Sequence, residues 1–154
     1  MVEKRHIFIV SSMIEEIKYN GEIIVIIVRS NFSNPGISFF TPNIFSQQLA
    51  YMQHPAGKII QAHVHNDVQR AVYKTKEVLF IRKGKLRVDL YNDEKQYLES
   101  KILQAGDVIL LAGGGHGFEV IDAVEMIEVK QGPYAGDEDK THIDHVEENK
   151  IVIK

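Results

Sequence analysis

The feature that most constrains this chain is a rhythm: short apolar segments separated by turn residues at roughly 8–12-residue spacing, with no long helical pattern between them. Residues 85–91 carry it most clearly, with Leu86, Val88 and Leu90 opposed to Lys85, Arg87, Asp89 and Tyr91. That alternation predicts an antiparallel strand with one solvated face. Further strands are expected at 6–10, 22–29, 37–40, 45–53, 57–65, 77–82, 96–103, 108–111, 118–121 and 124–130. Asn20-Gly21 is the strongest short-range turn signal and suggests a hairpin joining 6–10 to 22–29. Residues 13–18 read either as a helical turn or as extended chain, because so short a segment shows no decisive period. Such a pattern points to an all-β sandwich or barrel.

With 154 residues, of which 44% are hydrophobic, the chain fits one domain spanning 1–154. A domain of that size buries roughly 70% of its unfolded surface. The formal charge of −3 offers no basic field for nucleic acid or an anionic membrane. The absence of cysteine excludes disulfides, thiolate metal sites, iron–sulfur clusters and cysteine nucleophiles. The apolar run 22–28 is too short to cross a bilayer, so a soluble, cytoplasmic protein is expected. The tail 137–154 is charged; its final Ile-Val-Ile either adds an edge strand or frays.

The chemistry concentrates in residues 57–84. His63 and His65 are two apart, so on a strand both imidazoles leave one face of the sheet, together with Ile59 and Gln61. Both faces of 59–65, with Ile60, Ala62 and Val64 on the second, avoid charge, which predicts a strand covered on each side. Glu77 falls on the apolar face of its own segment with Leu79 and Ile81, and an inward carboxylate needs a partner. His116 follows a run of three glycines, Gly113 to Gly115, which reads as a tight turn delivering the ring to an interior. Three imidazoles and one carboxylate form a nitrogen/oxygen donor set suited to a divalent metal ion: Fe(II), Mn(II), Ni(II) or Zn(II). Taken singly, each histidine is better read as an ordinary core or surface residue; the combination favours a metal site.

The glycine cluster lacks the following Lys-Ser/Thr of a nucleotide loop, and no Gly-x-Ser-x-Gly elbow is present. His142 and His145 would share a face if helical, but the charged residues around them favour a solvated tail.

Gly57, His63, His65, Glu77 and Gly84 resemble the first motif of the cupin superfamily: glycine, five residues, His-x-His, a gap, glutamate, six residues, glycine. The gap, 66–76, is eleven residues where the pattern has three or four. Gly106 and His116 resemble the ends of the second motif, with Ala112 in place of its proline and His116 one residue closer to Gly106. The resemblance covers about 45–130 and implies a double-stranded β-helix, or jelly roll, preceded here by extra N-terminal strands. It also implies a metal held inside the barrel by His63, His65, Glu77 and His116. GDVILLAGGGHGFEV together with VKQGPYAG is similar to a narrower group of stand-alone cupins associated with bacterial surface-sugar genes.

The expected function is therefore a metal-dependent enzyme acting on a small polar metabolite, a sugar or sugar derivative in the narrower reading. Isomerisation, epimerisation and oxygenase chemistry all remain open. Arg70 and Tyr73, in the long gap, and His54 are the expected substrate contacts. The alternative is a non-catalytic module that binds a small ligand in the same barrel. A homodimer is expected, because sheets packed between subunits would explain the uncharged faces of 59–65 and the Ile/Val-rich N-terminal region.

Overall fold

The computed structural model describes residues 13–154, so the segment 6–10 lies outside the described residues. Strands account for 46% of the structure and helices for 5%. In chain order the strands are β1 (Ile14–Tyr19), β2 (Glu22–Val28), β3 (Gly36–Phe39), β4 (Ala50–Gln53), β5 (Glu77–Tyr91), β6 (Tyr97–Gln104), β7 (Val108–Leu111) and β8 (Gly115–Lys130). They fall into two compact units, one within Ser33–Tyr73 and the other formed by 13–32 with Lys74–Lys154.

The larger unit is a strongly curled antiparallel sheet that forms a half-barrel. It begins with a hairpin whose Asn20 and Gly21 have φ of 50° and 80°, the backbone of a two-residue type I′ turn. The hairpin joins β1 to β2, so 13–18 is extended rather than helical and takes the place expected for 6–10. Strand order is β1-β2-β7-β5-β6, with β8 on the other edge of β5. β7 and β6 lie end to end along one edge of β5, opposite its first and second halves, and β8 runs along the full length of the other edge.

Segments 77–82 and 85–91, expected as two strands, are therefore one bent strand, and so are 118–121 and 124–130. Register shifts between Ile81 and Leu86 mark the bend. There Gly84 adopts φ of 83°, and a Cβ at this position would lie 2.1 Å from the carbonyl oxygen of Ala123. The bend also changes which alternate residues face inward: Leu79 and Ile81 before it, Leu86, Val88 and Leu90 after it. These five pack with Val25, Ile27, Leu103, Ile109 and Leu111 between the two arms of the curled sheet. At the turn between β6 and β7 the fully buried Asp107 accepts hydrogen bonds from the Ser30 and Gln104 amides and from Arg29, at 2.8–3.0 Å.

The outward face of 85–91 is solvated at Lys85 but not beyond it. Arg87, Asp89 and Tyr91 are buried. Arg87 pairs with Asp89 two residues along the same face, Nε to Oδ1 2.8 Å, and with Glu119 on β8. The C-terminal tail supplies further partners: the Val146 amide donates to the Tyr91 hydroxyl, and 152–154 bonds to Ser100 of β6 in parallel register. The final Ile-Val-Ile thus adds to the sheet edge.

In the smaller unit, β3 and β4 pair as a two-stranded ladder. The expected strand 45–53 is reduced to its last four residues, because Gln48 turns its amide onto the carbonyls of Pro42 and Phe45. Residues 57–65, expected as a strand covered on both faces, have no regular secondary structure and are exposed throughout. Alternation supplies side chains for two faces, but a strand also needs a neighbouring backbone for its ladder. Among the described residues these have none.

Gly84→Ala is expected to destabilise the protein by about 3 kcal/mol, from left-handed strain and the Ala123 contact. Thermal unfolding should show this as a melting point lower by about 6–12 °C.

Candidate functional site

Glu77 is the first residue of β5 and faces inward with Leu79 and Ile81. His116 is the second residue of β8 and stands directly opposite Leu90. On a straight strand, the 13 residues from Glu77 to Leu90 would separate these positions by about 43 Å. The curl instead brings His116 Nε2 to 3.1 Å from Glu77 Oε2, with both side chains partly exposed.

The second Glu77 oxygen is also engaged. Lys130, its cross-strand partner on β8, places Nζ 3.0 Å from Oε1. Lys130 lies in turn 3.4 Å from Asp139, whose other oxygen accepts a 3.2 Å hydrogen bond from Thr75. The result is a charged chain: His116, Glu77, Lys130, Asp139. The hydrogen bond from His116, with the Lys130 ammonium beside it, holds the Glu77 carboxyl down at about 2 against the opposing effect of burial. Contact with Glu77 raises the Lys130 ammonium in the same way. The Phe118 ring lies 5.1 Å from that of His116 and forms an apolar wall to the site.

Of the residues expected to bind metal, Glu77 and His116 are thus brought together. His63 and His65 belong to the smaller unit, where their rings pack edge to face with centroids 5.1 Å apart. His63 Nδ1 lies 3.1 Å from the Gln61 carbonyl oxygen. Among the described residues, no three of His, Asp and Glu gather closely enough to form a metal-holding group.

The expected substrate contacts also lie in the smaller unit. Arg70 is exposed and donates to the Val68 carbonyl, and Tyr73 is exposed. His54 Nε2 is shielded from solvent and has no hydrogen-bond partner among the described residues. His145 lies in the tail beside Gly117, with its Cε1 4.0 Å from where a Cβ would stand.

Lys130, Asp139 and Thr75 were not among the expected site residues. Lys130 was legible only as the last residue of a strand; its place beside Glu77 depends on the β5–β8 register, not on nearness along the chain.

No family model matches the chain, and neither the curated proteins nor the solved structures contain a match.

Glu77 holds its proton less readily in the folded chain than the ordinary value of 4.5. The stability it contributes is therefore complete above about pH 4.5 and is lost as the pH falls toward about 2. Acid unfolding followed by circular dichroism in the presence of chelator should show a shallower loss over this range for Glu77→Gln than for the parent chain.

Proposed function

We propose that this chain is a metal-dependent cupin-type enzyme acting on a small polar metabolite of the sugar or sugar-derivative class. The observation that carries the reading is the 3.1 Å approach of Glu77 and His116 across the curled sheet. Two ligands at right angles, each about 2.1 Å from a common ion, stand about 3.0 Å apart. This donor pair has that separation. Lys130 engages only the other carboxylate oxygen, so one-oxygen ligation by Glu77 leaves the Lys130 contact intact.

His63 and His65 would supply the remaining two donors, completing a nitrogen/oxygen set that suits Fe(II), Mn(II), Ni(II) or Zn(II). A divalent ion held by this set would supply a Lewis acid with an open position for a substrate oxygen. The residues of the chain contribute the rest. Lys130 keeps Glu77 ionised and oriented, and adds positive charge where an anionic oxygen would develop. Phe118 limits water on one side of His116. Arg70, Tyr73 and His54 would hold hydroxyl or anionic groups of the substrate. Within this reading the fold is a jelly roll, of which the half-barrel is the larger part.

Elemental analysis of untagged protein should find about one divalent metal per chain, falling at least tenfold in a His63→Ala, His65→Ala double variant and in Glu77→Gln, with folding retained. Unchanged metal content in the double variant would overturn the ligand set. Oxygen uptake by the loaded protein would favour an oxygenase; sugar-nucleotide binding without turnover would favour a binding module.

A further inference from the structure

The segment that follows β8 touches the sheet at a few points. Within 137–150, every residue is exposed except Asp139, Ile143 and Val146, and the last two are the apolar residues of that stretch. These three positions meet the sheet at the two ends of β8. At one end, Asp139 lies 3.4 Å from Lys130 and 3.2 Å from Thr75, and Lys130 in turn lies 3.0 Å from Glu77. At the other, Ile143 fills the space that Gly115 leaves, so that a Cβ there would run into Ile143 Cδ1. His145 lies over Gly117, and the Val146 amide donates to the hydroxyl of Tyr91, the cross-strand partner of Gly115.

Gly115 and Gly117 alternate with His116, so 143–146 backs β8 on the face opposite that imidazole. Laid straight, β8 would separate Gly115 from Lys130 by about 50 Å. Asp139 and Ile143 are four residues apart, a reach of at most about 14 Å. A short piece of tail therefore bridges the two ends of the curled strand, beside each member of the Glu77–His116 pair. Two glycine-sized gaps receive it at the level of His116, which a tail merely draped over the surface would not require.

We infer that 139–146 is a clasp: it holds the two ends of β8 together and so sets the separation of Glu77 and His116, with Asp139 and Ile143 as positioning residues. Because the clasp buries little, it can open while the core stays packed. Closed, it keeps carboxylate and imidazole in contact. Open, it lets the ends of β8 part and uncouples the pair. The inference rests on the pair itself and holds whether or not the pair binds a metal.

The test reads the pair directly. In the isotope-labelled, chelator-treated chain at about pH 8, where an ordinary imidazole is neutral, long-range proton–nitrogen NMR spectra report which ring nitrogen of His116 carries the proton. The signal is identified by its absence from His116→Gln. In the parent chain the Nε2–H tautomer should dominate, because that proton bonds Glu77. Asp139→Asn and Ile143→Ala act at opposite ends of the clasp, and each should lower the tautomer ratio roughly threefold or more, the scale of one net hydrogen bond. Gly115→Ala should do the same by displacing Ile143, and joining it to Ile143→Ala should restore the parent ratio. Val152→Pro, which removes an amide that the tail donates to Tyr97 outside the clasp, should leave the ratio unchanged. A parent ratio retained in both Asp139→Asn and Ile143→Ala would overturn the inference, as would an equal loss in Val152→Pro. Metal content enters none of these ratios, so the clasp and the proposed ligand set can fail independently.

Discussion

The larger unit depends on one corner. At Gly84 the backbone turns through a left-handed conformation and lies against the Ala123 carbonyl of the neighbouring strand. At the same level β6 gives way to β7 through Gly106 and Asp107, and the Ile81 backbone bonds to both: its amide donates to the Asp107 carbonyl and its carbonyl accepts from the Gly106 amide. Three neighbouring runs of chain therefore bend together. Without that shared bend, Leu79 and Ile81 could not face Leu86, Val88 and Leu90 across one core.

Around this corner, charge is used where the sheet has no apolar partner to offer. Asp107 takes up the amides of Ser30 and Gln104, and Arg29 ties it to Glu15 and thence to Lys101. Burial opposes ionisation of Glu15, but hydrogen bonds from Lys101 and Arg29 keep its carboxyl below the ordinary value. On the outer face, Asp89 is likewise held down, against its burial, by Arg87 and Ser100. Removing one member of such a buried set leaves the others desolvated and unpaired, so these networks fix the arrangement more than they add net stability.

Much of this was legible in the residues, for physical reasons that also mark where reading stops. Strands 108–111 and 97–104 stand almost where alternation and turn residues place them, because local pattern and tertiary burial agree. Asn20-Gly21 marked its turn correctly, yet the preceding strand is the nearer segment 14–19, which the short apolar pattern had left undecided. Lys85, Arg87 and Asp89 looked like a wet face because charge usually faces water; an ion pair between residues two apart, together with a tail that covers it, is invisible to single-residue polarity. Glu77 was recognisable as an inward carboxylate needing a partner, and His116 as a ring delivered by glycines. Lys130 was not recognisable, since only the β5–β8 register brings it there. The 57–65 segment has a strand's side chains without a strand's neighbour.

The bend also acts as a lever. Glu77 stands seven residues before Gly84, and His116 lies opposite Leu90, six residues beyond it. Each side chain therefore sits at the tip of an arm about 20 Å long. A rotation of about 3° at the corner would move a tip by about 1 Å, enough to break the 3.1 Å hydrogen bond between them. Substitutions near Gly84, Ala123 or Asp107 that leave the core packed can still separate the carboxylate from the imidazole. The aim of the pair is thus set at the corner, by residues that touch neither side chain.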